Sequence, residues 1–384
     1  MSSNLHPGLA RTLDPVLDAA IAAAQIVGTV VVVAQRGKII YRRATGLADR
    51  EASRPVVPET LFRYASRTKP IVSAAALALI EAGKLHLDEL VTRWLPDFRP
   101  RLADGTTPTI TVRQLLTHTA GLDYGFMQAE GGSYLRAGVS DGMDQPGLSM
   151  EENLRRIAGA PLFAPPGTVW HYSLALDVLG AVLERAGGAP LPELVRRLVT
   201  GPLGIEADFQ VTARDRLAVP YADATPRPIR MGEPERVPFV EGHLVFSPAR
   251  AFDARSYPSA GTSMIGTADA FVRFLEAIRA GGTPILRAGS ARAMTSNQIG
   301  PLAVELLTDG IWRSGFGFAV LEKPDATTPF GAGTFRWGGV YGNAFFVDPS
   351  AELVVVGLSN TAVAGMIGPF PDAVQRAVYA GLTE

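Results

Sequence analysis

The 384-residue chain contains no cysteine. That excludes disulfides, a cysteine nucleophile and cysteine-ligated zinc. Lysine is nearly as scarce, with only Lys38, Lys69, Lys84 and Lys323. The five histidines (His6, His86, His118, His171, His243) form no i,i+4 pair and no HExxH string, so no catalytic metal is expected. A surplus of one charge is lacking too. Net charge is −1, which leaves no basic field for nucleic acid and no acidic tail. No run reaches 18 apolar residues, and Asp14 and Asp18 interrupt the segment where the apolar core of a leader would lie. The expectation is a soluble, cytoplasmic protein without membrane or nucleic-acid partners.

An apolar fraction of 47% and a charged fraction of 19% fit a globular protein, long for one core and short for three. Residues 14–26 read as an amphipathic helix, and 28–34 and 38–45 as a hairpin around Arg36-Gly37. The middle reads as helical over 70–82, 111–117, 150–158, 174–187 and 190–200. Seven prolines between 220 and 258 predict a long, mostly irregular loop of the kind that forms lids and walls. Helix returns at 267–280, strands at 315–321, 333–337, 343–348 and 352–358, and a last helix at 370–381. This order implies an α+β protein, with one antiparallel sheet built from both chain ends and flanked by helices. Residues 1–384 read as one domain. Its α/β part comes from 1–65 plus 225–384, and a mainly helical part from 66–224 is inserted.

Three strings carry chemistry. Ser66-Arg67-Thr68-Lys69 opens an apolar helical run, Pro70 to Ile80. On a helix, positions i and i+3 share a face, so the Lys69 amine can reach the Ser66 hydroxyl and take its proton. Alone the tetrapeptide is a weak signal, since a surface lysine one turn from an N-cap serine has the same spelling. The buried character of the run favours the chemical reading, because desolvation disfavours the lysine charge. Trp170-His171-Tyr172-Ser173-Leu174 follows a turn and precedes a helix, where Tyr172 can relay a proton or simply pack the loop. Arg336-Trp337-Gly338-Gly339-Val340-Tyr341-Gly342 pairs glycines at a strand, which suits close backbone approach and an N–H aimed at an oxyanion, or else a bulge. Tyr124 and His243 are further candidates to line a cleft, and Asp177 a candidate to orient a neighbour. His118 reads as a structural histidine bonded to backbone.

Taken together, Ser-x-x-Lys, Tyr-Ser 106 residues on and aromatic-Gly-Gly 165 further resemble the serine β-lactamase and penicillin-binding-protein superfamily. The run Leu115 to Leu122 resembles its segment between the first two motifs. Over about residues 10–380 the chain is most similar to the family VIII carboxylesterases, relatives of class C β-lactamases. The resemblance implies a β-lactamase-like fold, Ser66 as acylated nucleophile, Lys69 as its base and Tyr172 as proton relay. It implies an oxyanion hole from the backbone N–H groups of Ser66 and Val340, a substrate-facing Trp337-Gly338-Gly339, and no metal or organic cofactor. Two departures from β-lactamases stand out. Leu174 replaces an asparagine and Trp337 a cationic residue, both of which help hold a substrate carboxylate there. Both point to an uncharged, apolar substrate, a small-molecule ester of short-to-medium acyl chain. The same scaffold supports an amidase or D-aminopeptidase, a weak β-lactamase, an acyltransferase, or a penicillin sensor that is acylated and does not turn over.

Overall fold

Four consecutive valines, Val30 to Val33, are fully buried, so the strand Gly28–Gln35 is covered on both faces. β-Branched residues in such a run fit a central strand. In the computed structural model, which describes residues 6–211, 213–307, 310–324 and 328–383, this strand is where the chain ends meet. It pairs antiparallel with Leu353–Ser359 on one side and Lys38–Asp49 on the other, with Val32 opposite Val356 and Arg42. Outward from Leu353–Ser359 follow Asn343–Asp348, Phe335–Gly339, Ala319–Leu321 and Trp312–Ser314, and Arg54–Pro55 closes the far edge. Every pairing in this eight-stranded sheet is antiparallel.

The terminal helices Pro7–Ala22 and Pro369–Leu382 pack on one another, and Ala268–Arg279 packs on the two central strands. The first helix begins earlier than its sequence suggested. His6 caps it by accepting the Leu9 N–H, and Pro15 sits inside it. An interior proline removes a helical hydrogen bond, yet Leu9, Leu13 and Leu17 are fully buried along the same stripe, and their burial outweighs that loss. The helix Thr68–Glu81 is enclosed almost throughout and contacts Ala175–Gly187 and Leu191–Val195. Among the described residues no helix is long and apolar enough to cross a membrane.

The proline-rich stretch departs from the expected irregular loop. It forms the hairpin Glu235–Phe239 with Gly242–Phe246 and the short pair Tyr221–Ala222 with Ile229–Arg230. Val237, Leu244 and Phe246 are buried, so a period-2 pattern underlies the prolines. Pro238 is tolerated because this two-stranded ribbon joins no larger sheet, and a missing N–H on a free edge breaks no ladder.

One residue at the start of Thr68–Glu81 works against stability. Arg67 is fully buried, and none of its three guanidinium nitrogens has a hydrogen-bond partner among the described residues. It stacks on Phe271, 3.6 Å from the ring centroid, and lies 4.8 Å from that of Tyr64. Burial pulls its pKa down to about 9, so it is still charged at neutral pH. A cation–π contact recovers about 2 kcal/mol when desolvated, whereas the penalty for an ion in the interior is several kcal/mol. Arg67→Met is therefore expected to raise the melting temperature by about 2–5 °C in scanning calorimetry. A lower melting temperature would show that the aromatic cage outweighs the desolvation.

Candidate active site

Ser66 lies in the tight turn Ala65–Arg67 that leads into the helix Thr68–Glu81. The turn is strained, because Ala65 has φ +48°, a left-handed conformation that costs a non-glycine residue about 1–2 kcal/mol. Its surroundings hold it there. The Tyr64 N–H donates to Met264 O at 2.8 Å and the Tyr64 hydroxyl to Thr267 O at 2.6 Å. Asn343 Nδ2 donates to Arg63 O at 2.8 Å. Strand Phe335–Gly339 closes on the same turn, and a Cβ on Gly339 would sit 2.3 Å from the Tyr64 carbonyl oxygen. The paired glycines thus serve close backbone approach.

Two side chains converge on the Ser66 hydroxyl. Tyr172 Oη donates to Ser66 Oγ at 2.6 Å, and Lys69 Nζ lies 3.1 Å from the same oxygen. Lys69 Nζ also donates to Gly261 O at 3.0 Å. The lysine is 2% exposed and the serine 6%, and of the two Ser66 lines the cavity while Lys69 lies behind it. The ammonium lies 4.7 Å from the ring centroid of Tyr172 and 5.3 Å from that of Tyr124, a geometry that favours a cation. Trp337 Nε1 reaches Tyr172 Oη at 3.3 Å.

Tyr172 is positioned by the segment Leu115 to Leu122. The His171 N–H donates to His118 O, and the Ser173 N–H donates to His118 Nδ1 at 3.3 Å. Burial, then the Lys69 charge, pushes the His118 imidazole well below its ordinary pKa, so it is neutral and Nδ1 accepts. His171 pairs with Asp123 at 2.7 Å, and Asp123 O accepts the Leu174 N–H.

Ser66, Tyr172, Trp337, Gly338 and Val340 face a cavity of about 400 Å³. The other candidates lie elsewhere. Gly339 is turned toward Tyr64. Leu174 is fully buried where the helix Ala175–Gly187 begins, because an apolar side chain there turns into the core. Tyr124 is also buried, behind Tyr172 with ring centroids 5.1 Å apart. His243 is exposed on the hairpin opposite Pro238 and does not line the cavity. The apolar walls come from residues the sequence reading missed. The hairpin supplies Phe239 and Val240, the segment before residue 308 supplies Leu306 and Leu307, and the loop after the sheet supplies Met366 and Ile367. Only the hairpin had a signal, its alternating Val237 and Phe239 against Leu244 and Phe246. The charged residue of the lining, Arg336, has its guanidinium 5.5 Å from the ring centroids of both Trp312 and Phe330. Among the described residues no cluster of His, Asp and Glu is arranged to hold a metal ion.

Comparison with known proteins agrees with this architecture. The β-lactamase family model matches residues 13–378. The chain is 51% identical over 379 residues to Esterase EstB of Burkholderia gladioli, across 97% of this chain and 95% of that one. It is 27% identical to the Lovastatin esterase of Penicillium rubens, across 90% and 91% of the two chains. Among solved structures, EstCE1, described as a hydrolase with promiscuous acyltransferase activity, superimposes with a TM-score of 0.93 at 44% identity. The match covers 97% of this chain and 98% of that one. The chain therefore belongs to the β-lactamase family, in the family VIII carboxylesterase branch of the serine β-lactamase and penicillin-binding-protein superfamily.

The contact between Gly339 and Tyr64 gives a direct test of how the strand supports the turn. In Gly339→Ala the new methyl would displace a backbone carbonyl, which cannot swing aside as a side-chain tip can. Ester hydrolysis should fall by about 100-fold or more, since a displacement of about 1 Å costs that much, while far-UV circular dichroism stays native. Unchanged kcat/KM would mean that the strand and the Ser66 turn are not rigidly coupled.

Proposed function

We propose that this serine carboxylesterase hydrolyses uncharged esters of short-to-medium acyl chain through an acyl-enzyme on Ser66. The observation that carries the reading is the double contact on Ser66 Oγ, Tyr172 Oη at 2.6 Å and Lys69 Nζ at 3.1 Å. A serine hydroxyl becomes nucleophilic when a neighbour within this distance takes its proton as the bond to carbon forms. In the proposed sequence Ser66 Oγ attacks the ester carbonyl and its proton passes to the Lys69–Tyr172 unit. The oxyanion of the tetrahedral intermediate is held by the N–H groups of Ser66 and Val340. The alcohol then leaves with a proton from Tyr172 Oη, to which Trp337 Nε1 is close enough to hold its orientation. Water, activated by the same unit, attacks the acyl carbonyl, and the carboxylic acid departs as Ser66 regains its proton.

The cavity supports the substrate class. Its hydrocarbon and aromatic walls suit uncharged groups, and Trp337 stands where β-lactam-processing relatives carry a cation. One lost charge-assisted hydrogen bond to a carboxylate is worth about 1.5–3 kcal/mol, or roughly ten- to hundred-fold in preference. A second reading, acyl transfer, differs only in an alcohol replacing water in the last step. The apolar walls favour it, and EstCE1 carries that description.

Ser66→Ala is expected to remove hydrolysis of p-nitrophenyl butyrate with the fold intact. Tyr172→Phe should cost several orders of magnitude, because members of such a unit act together. Lys69→Arg should be inactive at every pH, since arginine cannot serve as a base. Mass spectrometry after a phosphonate inhibitor should place the adduct on Ser66. An adduct on Ser173 or Ser263, or substantial activity in Lys69→Arg, would overturn the mechanism.

For selectivity, Trp337→Lys should raise the ratio of kcat/KM for nitrocefin over p-nitrophenyl butyrate by about ten-fold or more. Wild-type enzyme that already hydrolyses both equally well would remove the argument from Trp337 and leave the Ser66 chemistry standing.

A further inference from the structure

Beside Lys69 lies a carboxylate that the proposed reaction does not use. Asp177 is on the helix Ala175–Gly187, one turn into it, and is fully buried. Three polar side chains close on one point. The position a Cβ on Gly261 would occupy lies 2.7 Å from Asp177 Oδ2, 3.0 Å from Tyr124 Oη and 3.5 Å from Lys69 Nζ. Only a residue without a side chain fits there, and its carbonyl is the one that receives the Lys69 amine. Neither Asp177 oxygen, nor Tyr124 Oη, meets hydrogen-bond geometry with a partner among the described residues. A buried carboxylate left in this state is costly unless a charge nearby compensates it.

We infer that Asp177 is a positioning residue of the ester-hydrolysing site, its carboxylate being the counter-charge that holds Lys69 against Gly261 and sets the pH at which the Lys69–Tyr172 unit becomes a base. The inference rests on the acyl-enzyme reading and deepens it. The groups around Lys69 leave this role to Asp177. Ser66 and Tyr172 are its reaction partners, Tyr124 and Tyr172 present ring faces, and His118 is neutral. Asp141 accepts from the amides of Gly125 and Phe126, and Asp144 is bonded to Ser140. On its other sides Asp177 faces Tyr124, Tyr257, Ser259 and, further off, Arg250. On balance its carboxyl is raised above the ordinary range, with burial the largest influence, while Ser259, Lys69, Arg250 and the Gly261 amide act the other way.

The sign of the effect follows from charge. An anion beside the ammonium stabilises the protonated, inactive form, so its removal lets the unit act as a base at lower pH. Asp177 Oδ2 and Lys69 Nζ both lie within 3.5 Å of the Gly261 Cβ position, and a unit charge at about 6 Å in a medium of effective dielectric about 20 corresponds to about two pH units. The acid limb of kcat/KM for p-nitrophenyl butyrate in Asp177→Asn should therefore move down by about one to two units. Asp177→Glu should return it toward the wild-type position. Tyr124→Phe, which removes no charge, should leave it in place. An unmoved limb in Asp177→Asn overturns the inference, whatever happens to kcat, because a merely structural carboxylate would lower activity without shifting the profile. Asp177→Ser serves as a second variant, and failure of both to fold would assign the carboxylate to the core and overturn the inference as well. The phosphonate adduct separates the two levels. An adduct away from Ser66 removes the acyl-enzyme reading, whereas an adduct on Ser66 with an unmoved limb removes only the role of Asp177.

Discussion

A lysine amine enclosed in an apolar interior, between a hydroxyl and a carbonyl, is the constraint that the rest of the site serves. Lys69 Nζ spans Ser66 Oγ at 3.1 Å and Gly261 O at 3.0 Å. Enclosing it requires a helix buried on nearly every side, which Thr68–Glu81 is. It also requires the segment around Gly261 to pass close, which only a glycine permits. The helices around Thr68–Glu81 and the sheet are thereby tied to one amine. Helix Ala175–Gly187 brings Asp177 and the segment before it brings Tyr172 from one side, and the chain returning to the sheet through residues 259–266 brings the carbonyl from the other.

The strain at Ala65 is part of the same arrangement. A left-handed alanine persists only when its neighbours over-determine it. Here Tyr64 is bonded through both its amide and its hydroxyl to residues 264–267, Arg63 O is taken by Asn343, and Gly339 presses against Tyr64. Sheet strands, not the helix Thr68–Glu81 itself, therefore carry the cost of presenting Ser66 at the edge of the cavity. Sequence order explains why this joint can be rigid. Strands Phe335–Gly339 and Asn343–Asp348 are neighbours in the central sheet, whose middle is formed by the two chain ends.

How much of this was legible in the sequence depended on whether the signal was local. The Ser66–Lys69 contact, the burial of Val30 to Val33 and the close backbone approach at Gly339 are each encoded within a few residues. The antiparallel sheet built from both chain ends followed from the order of elements, but its edge strands Trp312–Ser314 and Arg54–Pro55 did not. Leu174 and Tyr124 misled, because proximity in sequence to Tyr172 or His118 does not say which way a side chain turns. Burial decided that, and both went to the core. His243 misled because the prolines around it hid a hairpin in which it faces outward. The cavity walls at Leu306, Leu307, Met366 and Ile367 had no local pattern at all, since they come from separate irregular segments brought together only by the fold. Asp177 was visible as a residue, but a carboxylate on a helix gives no sign of being enclosed until its neighbours are known.

The aromatic residues link Lys69 to the proposed substrate class. Tyr124, Tyr172, Trp170 and Trp337 form a contiguous set, with Tyr172 lying 5.1 Å from Tyr124, 6.2 Å from Trp170 and 5.2 Å from Trp337. Ring faces attract the Lys69 ammonium without bringing a second charge into the site. A cation at position 337 would instead stand next to Tyr172 and, through it, close to Lys69, where like charges in a poorly solvated wall repel. Tryptophan removes that repulsion and offers an N–H to Tyr172 in its place. The same substitution leaves the mouth of the cavity without a carboxylate anchor at that position. The proposed preference for neutral esters and the electrostatic surroundings of Lys69 thus trace to one aromatic cluster, and a change at Trp337 acts on both at once.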